Sequence, residues 1–381
     1  MHVSRRDFLV HGTACSLLAA AGGSRLLADV KPNVKADWPL FRGDALASGV
    51  ASGSLSEKLD ILWSKQIDNG AFEATATIVD GCVYVGDLDG TFYALDLATG
   101  DEKWKKKRNT SYNAAAAVRD GKVYIGDADG KFLCLNAADG AEVWSLSTDA
   151  EINGGPNFWK ENVLIGSQDA TLYCLNAKNG EVAWKFRIDD QIRCSPTVVG
   201  DRSFVAGCDS RFHIIDLNLA KEEAAVPIEA PTGVTPAVHG DLVYFGTEAG
   251  VLFAINWRKA EVAWKYEDDA GNQPMRGSPA VTSEQVIFGT RSRRVRALAP
   301  DTGKELWSFT TKQRIDSSPV IVGDRVYVGS ADGRLYTLDR KTGKELSQFE
   351  GKGGFTSSPA VADGRMVIAT ERGTIYCLGA K

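Results

Sequence analysis

Two short motifs in the sequence have the acidic spacing of a calcium-binding loop. They are Asp87-x-Asp89-Gly90 and Asp127-x-Asp129-Gly130. A complete calcium loop needs further oxygen ligands and a downstream bidentate glutamate, and the residues that follow each motif (91–95 and 131–135) supply none. Asp-Gly pairs between apolar runs are strong hairpin signals. Both motifs are therefore predicted to be turns between strands, and no metal site is predicted.

Histidine and cysteine residues offer little further chemistry. His213 and His239 are the histidines that follow the N-terminal region. One is expected in a strand and the other beside a turn, so the two are not expected to form a metal site or to activate a nucleophile together. We therefore assign no catalytic residue. Cys194 and Cys208 flank one predicted hairpin. With Gly200-Asp201 as its turn, they occupy adjacent rather than opposite positions, which places them on different faces and opposes a disulfide.

The N-terminus has the features of an export signal. Ser4-Arg5-Arg6-Asp7-Phe8-Leu9 precedes a mildly apolar stretch and resembles a twin-arginine signal. We predict that residues 1–28 are removed, and Cys15 lacks a convincing lipid-attachment sequence before it. The mature chain is expected to be soluble, in the periplasm or otherwise exported through the twin-arginine route.

Composition excludes several classes of partner. The formal charge is -5, so electrostatics give no reason to expect nucleic acid. Beyond the signal, no apolar stretch approaches the roughly 20 residues of a membrane-spanning helix, and no transmembrane segment is predicted in the mature chain. We expect a monomer that binds a protein partner or a small polar ligand.

A repeat of about 40 residues determines the predicted fold. The residue at the Gly86 position returns at spacings of 40 residues, with one of 43, as Gly126, Gly166, Ala206, Gly246, Gly289, Gly329 and Ala369. Each copy contains four short strands, A to D; in the seventh, strand A is residues 318–322, strand B 325–329 and strand C 334–339. Four antiparallel strands per repeat without a helical period form one propeller blade. The sequence therefore predicts an all-β, eight-bladed β-propeller.

The tryptophans indicate how the ring closes. Trp104, Trp144, Trp184, Trp264 and Trp307 each fall in a strand D, whereas Ala224 and Ser347 occupy that register in two other copies. The last copy lacks a strand D, and a spare one, residues 61–65 with Trp63, precedes the first copy. Placing the spare strand in the last blade removes an open sheet edge. We assign residues 29–54 to a lead-in segment and residues 55–381 to the propeller.

The repeat resembles a known family. The element from Ala94 to Trp104, with its Asp96 and Thr99-Gly100, is similar to the tryptophan-docking repeat of the pyrroloquinoline quinone (PQQ) propellers, and Trp38-Pro39-Leu40-Phe41-Arg42-Gly43 resembles the segment before their first blade. The resemblance implies that the six tryptophans from Trp63 to Trp307 pack against neighbouring blades. It covers essentially the whole mature chain.

Two branches of this family imply two functions. The quinoprotein dehydrogenases are much longer and carry PQQ with calcium, an aspartate base and commonly a Cys-Cys disulfide; this chain has no Cys-Cys pair. The outer-membrane assembly factors of the BamB type are lean eight-bladed scaffolds without catalysis, and this chain is similar to them in size. A non-catalytic binding scaffold is the main hypothesis, and a small PQQ-dependent oxidoreductase with a site on the propeller axis is the alternative.

One position in each repeat varies in chemistry where its neighbours do not. The residue three positions before the Pro register of strand A is expected on a ring around the propeller axis: Glu73, Asn113, Asn153, Arg193, Gly233, Arg276, Asp316 and Thr356. Opposed charges converging on a concave centre suit a polar ligand or a partner's loop. The same residues could equally be solvated loop positions at the mouth of a water-filled channel. We call these eight positions the axial rim.

Overall fold

The computed structural model describes residues 36–268, 271 and 273–381. Within these residues the regular secondary structure consists of 32 strands, arranged as eight four-stranded antiparallel sheets. This confirms the eight-bladed propeller. The predicted export signal, residues 1–28, lies outside the described residues, as does the lead-in segment up to residue 35. No helix in the described part is long and apolar enough to cross a membrane.

Each blade consists of strands A, B, C and D from the axis outward. The A strands are β2 (Thr77–Val79), β6 (Ala117–Arg119), β10 (Asn157–Trp159), β14 (Thr197–Val199), β18 (Ala237–His239), β22 (Ala280–Val281), β26 (Val320–Val322) and β30 (Ala360–Ala362). The B strands are β3 (Cys82–Gly86), β7 (Lys122–Gly126), β11 (Asn162–Ser167), β15 (Arg202–Ala206), β19 (Leu242–Gly246), β23 (Val286–Gly289), β27 (Arg325–Gly329) and β31 (Arg365–Ala369).

The outer half of each blade completes the sheet. The C strands are β4 (Thr91–Asp96), β8 (Lys131–Asn136), β12 (Thr171–Asn176), β16 (Arg211–Asp216), β20 (Val251–Asn256), β24 (Arg294–Leu298), β28 (Arg334–Asp339) and β32 (Thr374–Gly379). The D strands are β5 (Glu102–Lys107), β9 (Glu142–Ser147), β13 (Val182–Arg187), β17 (Lys221–Pro227), β21 (Glu261–Glu267), β25 (Glu305–Thr310), β29 (Glu345–Glu350) and β1 (Asp60–Gln66).

The core lies between neighbouring blades. Strands B and C are buried on both faces and read as almost continuous apolar runs, whereas strand D is largely exposed. One cluster, for example, joins Tyr84 and Phe92 of the first blade to Val123 and Leu133 of the second. Burial of both sheet faces is what removes the polar alternation from these strands. Each blade is therefore stabilised mainly by contacts with the next.

The eighth blade is closed by the strand nearest the N-terminus. Strand β1 pairs antiparallel with β32, and Trp63 lies opposite Cys377. The structure confirms the predicted closure, and it places Trp104, Trp144, Trp184, Trp264 and Trp307 in the same register of their D strands. No sheet edge is left between the first and last blades, so the ring is continuous.

Strand A is shorter than the sequence predicts. In the seventh blade it begins at Val320 rather than Ser318. Pro319 has no N–H to donate to a ladder, and the N–H of Ser318 donates to Ser358 Oγ of the next blade at 2.9 Å. The first residues of the predicted strand A of this blade therefore make contacts around the axis instead of within their own sheet.

A segment that precedes the first blade lines the axis. Residues 38–51, which we call the axial collar, run past the inner edges of the A strands and accept their free N–H groups. Donors in six blades bond to collar carbonyls: Ile78 to Trp38, Val118 to Pro39, Val198 to Ala45, Val238 to Leu46, Val281 to Ser48 and Ile321 to Gly49. In the third blade the side chain of Asn157 donates to Ala45 instead. The collar thus satisfies backbone groups that would otherwise be buried without a partner.

Candidate functional site

The structure brings all eight axial rim positions around one cavity. They surround a cavity of about 160 Å³ on the propeller axis, together with a second, deeper ring of small residues and Phe41 of the collar. We call this cavity the axial well. The one-residue-per-blade spacing inferred from the sequence therefore corresponds to a real ring in space.

A buried anchor holds each rim residue in place. The residue just before each rim position is Phe72, Tyr112, Ile152, Ile192, Thr232, Met275, Ile315 or Phe355, and every one is at most 2% exposed. In all eight loops its N–H donates to a carbonyl at the B–C turn of the preceding blade, such as Tyr112 to Asp87 and Ile152 to Asp127. The anchors fix the backbone, so the rim side chains project from a rigid ring.

The anchors also explain the repeated glycine of strand B. A Cβ at Gly86 would lie 2.3 Å from Cβ of Tyr112, and a Cβ at Gly126 would lie 2.3 Å from Cγ2 of Ile152. Such distances are far inside van der Waals contact, so only glycine fits without displacement. The strand B glycine that reveals the repeat in the sequence therefore makes room for the buried anchor of the next rim loop.

The rim has an uneven distribution of charge. Arg193 and Arg276 flank Gly233, which has no side chain, and thus leave an open cationic sector. Arg193 is oriented by Gln191 Oε1 (2.9 Å from Nε and 2.6 Å from Nη2), and Arg276 Nη2 lies 3.2 Å from Glu248 Oε2. Both arginines remain substantially exposed and can approach a ligand.

The remaining rim residues are partly engaged with protein groups. Asp316 accepts from Arg291 (2.6 and 3.1 Å) and from Arg314 (2.9 Å), and this bonding raises the pKa of Arg291. Asn113 contacts Asn153 at 3.5 Å. Glu73 is exposed, and Thr356 donates to the carbonyl of Phe72 at 3.3 Å.

Two residues below the rim, a ring of hydroxyl groups joins the blades. This hydroxyl belt consists of Thr75, Ser195, Thr235, Ser278, Ser318 and Ser358, each at most 6% exposed. From the fourth blade to the first, the N–H of one belt residue donates to the hydroxyl oxygen of the next: Ser195 to Thr235, Thr235 to Ser278, Ser278 to Ser318, Ser318 to Ser358, and Ser358 to Thr75, at 2.9–3.3 Å. In the second and third blades the corresponding residues are Ala115 and Gly155, and Phe41 packs against Gly155.

A buried cation lies beyond the hydroxyl belt, and it is not one of the residues that line the axial well. Arg42 is 1% exposed, and its Nη2 donates to the carbonyls of Pro279 and Pro319, which directly follow two belt serines on the side away from the rim. Burial lowers its pKa to about 9 despite the nearby Asp44. Within the described residues its Nε and Nη1 have no hydrogen-bond partner.

The predicted docking tryptophans join the outer parts of neighbouring blades. Trp63, Trp104, Trp144, Trp264 and Trp307 donate their indole N–H to a carbonyl of the next blade's C–D turn at 2.7–3.1 Å. Their rings lie against the glycine of that turn, as Trp307 does against Gly343. Trp184 is half-buried, and Ala220 replaces the glycine in the turn it faces.

The other candidate groups have structural surroundings. Asp87 accepts from the N–H of Thr91 and the hydroxyl of Tyr93 within its turn. His213 is buried between Asp209 (2.9 Å from Nε2) and Glu222 (2.7 Å from Nδ1). The six cysteines in the described part, including Cys194 and Cys208, are free thiols. Across residues 36–268, 271 and 273–381, no group of three or more His, Cys, Asp or Glu side chains is placed to hold a metal ion.

The residues of the axial well do not fit PQQ. This cofactor is a flat, fused-ring quinone with several carboxylates, and sites for ligands of drug size have volumes of about 300–1,000 Å³. The well itself has a volume of about 160 Å³, but Arg193 and Arg276 also line adjoining cavities of about 250 and 470 Å³, so size alone does not exclude the cofactor. The misfit lies in the ligand chemistry, because the described residues provide no metal-binding cluster for an accompanying calcium. No chemical step is assigned to PQQ here.

Sequence reasoning found the rim but missed the hydroxyl belt and the buried Arg42. The belt was visible as a small residue two positions after each rim residue, yet its hydroxyl groups bond to residues about 40 positions away, which no local pattern reveals. Arg42 belongs to a segment without a repeat, so no periodicity could place its side chain against the carbonyls of Pro279 and Pro319.

Comparison with known proteins identifies the family. The model of the family described as outer membrane protein assembly factor BamB matches residues 25–159, 133–225 and 223–381. The chain belongs to this family. No curated protein sequence matches it significantly.

Solved structures agree on the fold of this BamB-family chain. BamB from Moraxella catarrhalis has a TM-score of 0.73 at 18% identity, over 85% of this chain and 98% of that one. Quinohemoprotein alcohol dehydrogenase from Comamonas testosteroni has a TM-score of 0.78 at 16% identity, over 90% and 80%. The computationally designed protein Ika8 has a TM-score of 0.74 at 18% identity, over 86% and 100%. Because an outer membrane assembly factor, an alcohol dehydrogenase and a designed protein match alike, the likeness shows the fold and not the function.

Proposed function

We propose that this chain is an exported, non-catalytic scaffold that binds a protein partner or a small polar ligand at the axial rim. One observation carries the proposal: eight equivalent positions converge on one cavity, yet their side chains differ. The anchors below them are uniformly buried, and six of the eight belt positions carry hydroxyl groups. Folding requires the anchor and the small belt residue in each blade, but it does not require arginine, glutamate or glycine at particular rim positions.

The family supports a protein as the partner. Its description refers to the assembly of outer membrane proteins, and we propose that the partner takes part in that process. The twin-arginine sequence at residues 4–9 supports export, with a soluble, monomeric mature protein as the outcome. The exposed Arg193 and Arg276 are the rim residues best suited to anchor a partner, because arginine is enriched among the residues that dominate binding energy.

The test removes the cationic sector of the rim. A photoreactive amino acid at Asn113 captures the bound partner in cells, and binding of that purified partner is then measured for wild type and for the double variant Arg193→Ser/Arg276→Ser. We expect the double variant to bind at least about tenfold more weakly, the equivalent of about 1.4 kcal/mol, with an unchanged melting temperature. The matched control is Arg202→Ser/Arg258→Ser, which removes two ion-paired arginines away from the rim.

The outcomes separate a rim site from other possibilities. Unchanged binding by the rim variant would move the site to the outer blade surfaces and refute the proposal. The alternative function, a small PQQ-dependent oxidoreductase, is tested by mixing the mature protein with PQQ and calcium. Quinone absorbance together with dye reduction by an alcohol or a sugar would show that the scaffold hypothesis is wrong.

A further inference from the structure

The hydroxyl belt presents hydrogen-bond donors to the axial well. A serine or threonine hydroxyl has one O–H donor and two acceptor lone pairs. In Thr75, Thr235, Ser278, Ser318 and Ser358 the oxygen already accepts an N–H from the preceding blade. None of these five hydroxyls donates to an acceptor within residues 36–268, 271 and 273–381, so their protons are available to a group inside the well.

Positive charge around the well favours the same kind of ligand. Above the belt, Arg193 and Arg276 line the well on either side of Gly233. Arg42 does not line the well, but it is buried beyond the belt, and two of its three guanidinium nitrogens lack a hydrogen-bond partner among the described residues. A buried cation with unmet donors lowers the energy of a nearby anion, because little water screens the interaction. Of the two rim carboxylates, Asp316 is already paired with Arg291 and Arg314, and Glu73 is exposed and stands four blades away from Gly233.

We propose that the axial well is a binding site for a carboxylate group, carried by a small organic acid or by the C-terminus of a peptide. The carboxylate accepts hydrogen bonds from the hydroxyls of the belt. The rest of the bound ligand extends out of the well through the open sector at Gly233, between the two rim arginines. A volume of about 160 Å³ equals that of about five waters in the liquid, which suits a carboxylate and a short stem. This inference rests on the proposed binding function and specifies which chemical group the site recognises.

The shape of the well supports entry from one direction. Phe41 of the collar packs where Ala115 and Gly155 interrupt the belt. The hydroxyls therefore form an arc on one side, with an apolar wall opposite. A carboxylate that enters end-on meets the hydroxyl donors of the arc and the positive charge of Arg193 and Arg276. This arrangement discriminates against a neutral amide because the amide carries no charge for the arginines to stabilise.

The experiment uses two pairs of probes on the full-length mature protein. Succinate tests the small-acid source, with succinamide as its neutral control; tri-alanine with a free C-terminus tests the peptide source, with tri-alanine amide as its control. Isothermal titration calorimetry measures each affinity. We expect one acid of the two to bind and its amide to bind at least tenfold more weakly, and the acid that binds identifies the source. If neither acid binds more tightly than its amide, the proposal is wrong.

Matched variants test the belt itself. Ser278→Ala/Ser318→Ala removes two donors, each worth about tenfold or more when the acceptor is charged, so we expect a loss of about 100-fold. Ser278→Thr/Ser318→Thr retains both hydroxyls, as Thr75 and Thr235 already do in their blades, and is expected to retain binding. Equal affinity for all three proteins would overturn the assignment.

Further variants distinguish a loss of acid binding from a loss of folding, and they separate the carboxylate site from the proposed scaffold function. If the alanine variant fails to fold, Arg276→Ser on the exposed rim still must weaken acid binding, and unchanged affinity there also contradicts the proposal. Ser317→Ala, at a buried position next to the belt that does not line the well, controls for general destabilisation. Loss of partner binding in the rim variant, without any acid binding to wild type, would refute the carboxylate site and leave the scaffold function intact.

Discussion

The tryptophan contacts between blades make a quantitative prediction. Trp307 is 7% exposed, donates its indole N–H to the Arg340 carbonyl at 2.8 Å and lies flat on Gly343. Replacing a buried tryptophan by alanine typically costs about 3–5 kcal/mol, and the lost hydrogen bond accounts for about 0.5–1.5 kcal/mol of such a change. We therefore expect Trp307→Ala to lower the free energy of unfolding by about 4 kcal/mol.

The chain contains an internal control for this reasoning. Trp184 occupies the same register but is only half-buried, and its neighbouring turn has Ala220 in place of glycine. Because the indole N–H of Trp184 has no hydrogen bond within the described residues and its ring has no glycine turn to lie on, Trp184→Ala should cost less than Trp307→Ala, by about 1 kcal/mol or more. Ser347→Trp should bring no gain, since the eighth blade takes strands C and D from opposite parts of the chain and offers no Thr-Gly turn to receive the ring.

The assay is urea unfolding followed by circular dichroism, which does not depend on the tryptophans being removed. Midpoints are compared at a common slope, and a change in slope would signal that the ring no longer unfolds in one step. The argument that docking on the glycine turn stabilises the protein would be refuted by equal losses in the free energy of unfolding for Trp307→Ala and Trp184→Ala. A clear stabilisation by Ser347→Trp would refute it as well.

Two more predictions concern the ring and its rim loops. Deleting residues 38–66 removes the collar and β1, exposes the edge of β32 and should cause aggregation; a monomeric product with an unchanged melting temperature would contradict the closure argument. Gly126→Ala places a Cβ 2.3 Å from Ile152 Cγ2 and should cost about 1–3 kcal/mol by overpacking. Adding Ile152→Ala should relieve the clash, so the two changes should be clearly non-additive in urea unfolding.

Much of the architecture was predictable because its causes are local. The strand order follows from Gly-Asp and Asp-Gly turns between apolar runs, as at Gly200-Asp201, where the observed pairing of Thr197 with Phe204 has the expected register. Glycine recurs at the Gly86 position in six blades because the next rim anchor leaves no room there for a Cβ, whereas Ala206 and Ala369 hold the position in the other two. The rim itself could be placed because it stands at a constant distance in sequence from that register.

The sequence by itself determined the number of blades, the four strands in each, the closure by the Trp63 strand and the ring of eight rim positions, because turn chemistry and a 40-residue repeat specify these without long-range information. The tertiary structure alone decided the path of the axial collar, the chain of hydroxyl bonds between blades and the burial of Arg42. The collar has no repeat, and its partners range from about 40 to more than 270 residues away. Such contacts exist only after the ring has closed, since closure is what brings the inner edges of separate blades around one axis.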